Sequence, residues 1–171
     1  MNAVLAGWNS LDEDAAAEAV LPCCGSRAWA AKLAARRPIA DEATMIAASS
    51  AVWRALPVQC WQEAFDSHPR IGEQKAQGHA TDVSLRSSAT EQAVALSADD
   101  AAKVALKEAN RRYEERFGRI FIICASGKSA SEILTALESR MMSGDAAELL
   151  EAAEQQRQIT ELRLKRWLEA E

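Results

Sequence analysis

The chain has 171 residues, of which 49% are hydrophobic and 26% charged, with a formal net charge of −5. This length suits a single domain spanning 1–171 with a core large enough to need no disulfide staples, and the apolar content excludes a disordered chain. The acid excess argues against nucleic acid as the main partner, because phosphate contacts need clustered Lys and Arg, and no run reaches the ~18 apolar residues of a membrane helix.

Alanine is the commonest residue and the best helix former, and helical spacing recurs along the chain. The first predicted helix covers 11–20, opened by a Ser10/Glu13 capping box and closed by Pro22. The second covers 27–36, capped by Ser26 and stopped before Pro38. The third covers 42–56, capped by Asp41, with Met45, Ala48, Val52 and Leu56 on one face. A fourth starts with Pro57 in its first turn, presents Val58, Trp61 and Phe65, and runs into His68-Pro69.

Residues 69–87 are polar and rich in Gly, Ser and Thr, and read as a long loop with room for one short helix. A helix then begins near Ser88, with Glu91 three residues on. A longer one covers 99–117, ended by Gly118. The apolar run Ile120-Phe121-Ile122-Ile123-Cys124-Ala125 has no partner strand, and reads as buried extended chain or a short core helix. Ser129 and Glu132 cap a helix reaching Met142; Gly144 breaks it, and a last helix runs from Asp145 towards Ala170. The fold class is therefore all-α, about eight helices in one compact domain.

The chain has two histidines and four cysteines. The proline after His68 biases it to extended backbone and ends the helix, which sets the imidazole between an apolar helix and a polar loop. Imidazole titrates near neutral pH and suits acid/base work; a helix-terminal histidine satisfied by a carbonyl is the structural alternative. His79, between Gly78 and Ala80, reads as a solvated loop residue. Ser88-Ala89-Thr90-Glu91 is a capping-box pattern, in which the carboxylate only satisfies the cap. Alternatively Ser88, Glu91 and Gln92 offer a hydroxyl, a carboxylate and an amide to a polar ligand. Arg163 lies four residues from both Ile159 and Trp167, so it points partly towards the apolar face. There it must pair, meet a ligand or snorkel to the rim. Cys23, Cys24, Cys60 and Cys124 lack metal or redox spacing and are expected as reduced thiols. No phosphate loop, metal set or Ser-His-Asp order is present, so an enzyme built from these residues is expected to use no cofactor and no metal.

Four motifs occur in order: Phe65-Asp66-Ser67-His68-Pro69-Arg70-Ile71-Gly72, Ser88-Ala89-Thr90-Glu91-Gln92, Tyr113-Glu114-Glu115-Arg116-Phe117-Gly118 and Ile159-Thr160-Glu161-Leu162-Arg163-Leu164. Together they resemble the OHCU decarboxylases, the 2-oxo-4-hydroxy-4-carboxy-5-ureidoimidazoline decarboxylases of urate breakdown, over nearly the whole chain. The departure is Arg119-Ile120, where many members have Phe-Pro.

The resemblance implies an all-helical, usually dimeric enzyme that converts this small ureido-imidazoline to S-allantoin and CO₂. It implies His68 as catalytic acid/base, with Glu91 also catalytic. It implies substrate binding by Pro69, Ser88, Glu91, Gln92, Arg163 and the segment Phe121, Ile122, Ile123, Cys124 and Ala125. Surplus apolar residues such as Trp8, Trp29, Met141 and Met142 fit the expected homodimer. Met1 to Asp14 lacks the basic flank and apolar core of a signal peptide, and the expected location is cytoplasmic. Two other readings fit the same helices: a helical interaction module that grips a partner peptide, and a hydrolase of a related ureide.

Overall fold

The computed structural model describes residues 2–73 and 76–170. Among them are ten helices and no strand: α1 (Ala3–Asn9), α2 (Glu13–Cys24), α3 (Arg27–Ala34), α4 (Glu42–Arg54), α5 (Val58–Asp66), α6 (Asp82–Glu91), α7 (Ala93–Leu96), α8 (Asp100–Phe117), α9 (Ala130–Arg140) and α10 (Asp145–Glu169). The all-α expectation holds. Two helices beyond the expected eight are the seven-residue α1 and the four-residue α7, each too short for the apolar period to register. The chain divides into two compact units, Met1–Ala64 with Arg157–Glu171, and Phe65–Gln156.

The first unit is built around indoles and aliphatic side chains: Leu5, Trp8, Trp29, Leu33, Met45 and Leu164 are fully or almost fully buried. Two of the buried indoles satisfy their N–H on a carbonyl, Trp8 on Ala16 at 2.8 Å and Trp29 on Ser49 at 3.3 Å. Trp8 also meets Trp167 edge to face at 6.2 Å. These tryptophans are core residues rather than surplus apolar surface; of the four residues set aside for an interface, Met142 is the one that is strongly exposed, at 85%. Val58, expected on the packed face of α5, is exposed, whereas Phe65 is fully buried.

Caps explain most boundaries. Asp41 accepts from Thr44 N at 2.7 Å, Asp99 from Ala102 N at 2.8 Å, and Ser129 with Glu132 makes a reciprocal capping box. Helix α2 differs from expectation at both ends. Its cap is Asp12, not Ser10, and Pro22 lies inside it rather than ending it. In the last turn a proline removes one backbone donor; burial of Cys23 and Cys24 carries the helix on to a left-handed Gly25 (φ 87°).

The second unit packs α8 along α9, with Leu106, Tyr113, Phe117, Phe121, Ile123, Ile133 and Leu137 in one buried cluster. The stretch expected as a loop over 69–87 is only partly one. Helix α6 starts at Asp82, capped by Thr81, which accepts from Ser84 N at 3.1 Å. The expected start near Ser88 is corrected: Ser88 to Glu91 form the last turn of α6, not a capping box. The Ser-x-x-Glu pattern makes a capping box only where a helix begins, and here the helix begins earlier, at Asp82 behind the Thr81 cap.

Before α6 the chain is pinned at several points. Pro69 bridges Ala76, Gly72 N donates to Gln92 Oε1 at 3.0 Å, and Gly78 N donates to Asp66 O at 2.7 Å. Arg70 forms a fork on Glu114, with contacts of 2.5 and 2.9 Å. Gly78 approaches so closely that a Cβ there would lie 2.9 Å from the Asp66 Cβ and 3.1 Å from its carbonyl oxygen. Gly78→Ala therefore pushes on backbone two residues before His68. It should lower the unfolding free energy by about 1–3 kcal/mol, the usual range for overpacking, read from urea titration at unchanged m-value.

Candidate active site

Within the second unit the structure gathers four of the nominated polar side chains into the interior: His68 (6% exposed), Ser88 (2%), Glu91 (6%) and Gln92 (5%). The end of α5 and the following Pro69 place His68, whose backbone N–H closes a turn on Phe65 O at 3.0 Å. Its ring Nε2 lies 2.7 Å from Oε1 of Gln156, a fully buried side chain in α10. Helix α6 presents Ser84, Ser88 and Glu91 at i, i+4 and i+7, a buried face of polar groups. Gln92 caps that helix and its carboxamide oxygen anchors Gly72.

The apolar run is extended, the first of its two expected forms, and Phe121, Ile122, Ile123 and Ala125 are buried. Neither helix nor sheet satisfies its backbone, so side chains do part of that work. Arg140 Nη1 donates to Ile122 O at 2.6 Å, Gln155 Oε1 accepts from Cys124 N at 2.9 Å, and Lys128 Nζ donates to Cys124 O at 2.8 Å. The N–H groups of Ile122, Ile123 and Ala125 and the carbonyl of Ile123 have no hydrogen-bond partner among the described residues. Buried backbone groups are almost always paired, so this strip is chemically unusual.

Arg140 is itself held. Its Nε donates to both oxygens of Glu148 (2.9 and 3.1 Å), and its guanidinium lies 4.4 Å over the Phe121 ring. Glu148 has no solvent exposure and also accepts from the Tyr113 hydroxyl. Burial first, and the neighbouring carboxylate second, hold the Tyr113 phenol above its usual range. On the other side of the strip's start, Arg119 donates to Asp145 Oδ1 at 2.7 Å.

Arg163 belongs to the first unit. It is 4% exposed, so it does not snorkel, and its Nη1 reaches Pro22 O at 3.4 Å in the last turn of α2. A cation there meets carbonyls that the helix leaves open and the negative end of its dipole. The adjacent Cys24 thiol is pushed up to about 12 by burial, against the lowering effect of Ser26, Thr160 and Arg163. Among the described residues no group of three or more His, Cys, Asp or Glu is arranged to hold a metal, and no helix is long and apolar enough to cross a membrane.

No local motif marks Gln155, Gln156, Arg140 or Glu148 as site residues. A weak signal existed for two of them, since Glu148, Ala152, Gln156 and Thr160 fall at i+4 intervals on α10 and are all buried.

The fold and the buried groups define an all-helical protein whose interior holds an imidazole, carboxylates and carboxamides that a purely structural core would leave outside. Comparison with known proteins carries this further: the sequence model of the OHCU decarboxylase family matches residues 9–165, and the chain belongs to that family. It is 36% identical over 143 residues to the uric acid degradation bifunctional protein TTL of Arabidopsis thaliana; this covers 83% of the chain but 44% of the plant protein. It is 31% identical over 130 residues to the 2-oxo-4-hydroxy-4-carboxy-5-ureidoimidazoline decarboxylase of Amia calva, covering 75% of the chain and 73% of that protein. A crystal structure of OHCU decarboxylase in the presence of (S)-allantoin superimposes with a TM-score of 0.76 at 32% identity, over 88% of this chain and 96% of that one. An (S)-allantoin synthase structure shares the fold, with a TM-score of 0.69 at 19% identity, over 95% of this chain and 53% of that one.

Two measurements check the electrostatics. Arg140→Met leaves Glu148 charged and buried without its cation, and should lower the unfolding free energy by about 3–5 kcal/mol. Arg111→Met, in an exposed ion pair, should change stability little. For Cys24 the sign follows from its raised value. The unfolded thiol ionises from pH 9 upwards while the folded one stays protonated to about 12, so stability is full below pH 9 and falls as pH rises above it. In the native protein a thiol reagent at neutral pH should modify the half-buried Cys60 and Cys124 first, and reach Cys23 and Cys24 only on unfolding.

Proposed function

We propose that this protein decarboxylates 2-oxo-4-hydroxy-4-carboxy-5-ureidoimidazoline to S-allantoin and CO₂ in urate breakdown, without a cofactor. The observation that carries the reading is the burial of His68, Ser88, Glu91 and Gln92 together in one unit of a chain that belongs to the OHCU decarboxylase family. Residues 1–171 act as one functional domain; the family match runs through both units. Glu91 adds support. It is buried in the last turn of α6, where a polar side chain needs partners. With the capping box gone, no helix-start role accounts for it.

The substrate supplies its own electron sink. The carbon that loses CO₂ adjoins a ring C=N bond, so the electron pair of the breaking C–C bond moves into that bond and the ring nitrogen takes a proton. The ring hydroxyl then gives up its proton to become the carbonyl of allantoin, and the neighbouring carbon takes a proton on one face. His68 is the acid/base for these transfers. Ionised, Glu91 accepts hydrogen bonds from ureido or ring N–H groups and shares the catalytic role; the Gln92 carboxamide and Ser88 hydroxyl orient the same polar edge. Arg163 offers a two-pronged contact to a carboxylate or ring oxygen. Pro69 and the strip Phe121, Ile122, Ile123, Cys124 and Ala125 line the site, and the N–H groups of Ile122, Ile123 and Ala125, without a partner among the described residues, are donors for substrate oxygens. Holding one orientation of a reactive ring supplies much of the rate, and the apolar side chains of the strip disfavour a carboxylate relative to neutral CO₂. The protein works in the cytoplasm as a homodimer, a state that light scattering at micromolar concentration tests.

Purified protein on freshly generated substrate should speed the loss of its ultraviolet absorbance, release CO₂ and yield allantoin that is S on chiral analysis. Hydrolysis without CO₂, or no reaction, would overturn the reading. His68→Ala should lose about 10²–10⁴-fold in kcat with helical circular dichroism intact. Glu91→Gln should keep its stability and lose activity, and Arg163→Lys should raise KM through loss of the fork.

A further inference from the structure

We infer that Gln156 is a positioning residue for His68: its side-chain carbonyl accepts the Nε2–H of the imidazole, fixes the ring's tautomer and leaves Nδ1 as the nitrogen that exchanges protons. The contact is 2.7 Å long and joins residues 88 apart in sequence. Gln156 is fully buried and His68 is 6% exposed, so bulk water does not compete freely for either partner.

The chemistry follows from the atom that faces the ring. An amide oxygen has lone pairs and no proton, so the ring nitrogen opposite must carry one. A neutral imidazole has a single N–H. If that proton is on Nε2, then Nδ1 holds a lone pair and is the base; in the imidazolium Nδ1 carries the second proton and is the acid. Both directions of transfer then use the same nitrogen, and Nε2–H stays on the carboxamide throughout. A partner's hydrogen bond is what selects between the two ring nitrogens of a histidine.

The identity of the partner matters as much as its position. A carboxylate in the same place would also accept Nε2–H, but it would stabilise the imidazolium and hold the second proton. A carboxamide orients the ring without adding charge, so the ring stays able both to take a proton and to give one. The decarboxylation proposed above needs both transfers. Both partners sit on constrained backbone. Gln156 lies inside the 25-residue α10, and His68 is fixed between its turn on Phe65 and Pro69, which bridges Ala76.

The role in turnover rests on the proposed function; the ring's tautomer does not, and the two are read separately. The probe is ¹⁵N-labelled full-length protein without substrate, followed by long-range ¹H–¹⁵N correlation of its imidazoles above their titration range. The chain has two histidines, so His79→Ala assigns His68. The expected result is a proton on Nε2 that exchanges slowly with water. In Gln156→Met, which nearly keeps the volume but has no acceptor, that proton should exchange fast and the ring should interconvert between tautomers. Gln156→Glu, which keeps an acceptor, should restore the slow Nε2–H and move the ring's titration to higher pH.

In turnover, Gln156→Met should lose about 10–100-fold in kcat, the range seen when the hydrogen-bond partner of a functional metal-bound histidine is removed, with KM nearly unchanged. A wild-type ring protonated on Nδ1 would overturn the inference whether or not any variant folds. So would an Nε2–H signal that persists unchanged in Gln156→Met. If the wild-type tautomer is as expected but no CO₂ is released from the substrate, the positioning contact stands and the proposed reaction falls.

Discussion

A carboxylate with no exposure to solvent must be answered by the surrounding side chains, and in the second unit Glu148 sets that requirement. Arg140 answers it from α9 and Tyr113 from α8, while Glu148 itself lies on α10. Three helices are thereby tied at one point. Arg140 has donors left over, and one of them holds the carbonyl of Ile122 while the guanidinium covers Phe121. The extended strip therefore takes its position from a buried ion pair. A pair of this kind adds little net stability, because desolvation offsets most of the attraction. What it fixes is geometry: a stretch of chain with no helix or sheet of its own is held in one place.

Many polar groups of the second unit are paired, and part of the strip's backbone is not. Arg70 forks onto Glu114, Gln92 holds Gly72, Gly78 rests on Asp66, and Gln155 and Lys128 take up the two backbone groups of Cys124. The N–H groups of Ile122, Ile123 and Ala125 stay without a partner among the described residues. A protein selected for stability alone would pair them or hide the run in a helix. Rigid support around under-satisfied groups is the arrangement a preorganised site needs, since donors already in place lose no time or free energy reorganising when charge develops.

The features legible in the sequence were the local ones. Asp41, Asp99 and Ser129 with Glu132 announce helix starts through bonds that span three residues, and Gly118 ends a helix through its own left-handed backbone. The errors also have local causes. Pro22 reads as a helix end, but burial of Cys23 and Cys24 carries the helix past it. Ser88 and Glu91 form a pattern that sequence cannot assign to the first or last turn of a helix, and only Thr81 decides it. His68, Glu91 and Arg163 stood out because a histidine before proline, a carboxylate after a run of small polar residues and an arginine on an apolar face are each locally odd. Their burial agrees with that oddness.

Gln156 was not locally odd. It sits beside Gln155 in a helix rich in Ala, Glu and Gln, where a carboxamide is an ordinary solvent-facing residue. Its importance is created by a contact across 88 residues, which no window of sequence contains. The same holds for Arg140 and Glu148, whose spacing of eight crosses a helix break at Gly144. A group that does chemistry must differ from its surroundings, and that difference is visible in its own few residues. A group that only positions another needs nothing more than the right atom in the right place, and any common polar side chain supplies that. Gln156 contributes one oxygen and no charge to the ring of His68. That is why it is hard to find in the sequence, and why replacing it by a carboxylate of the same shape would change the proton chemistry rather than the fold.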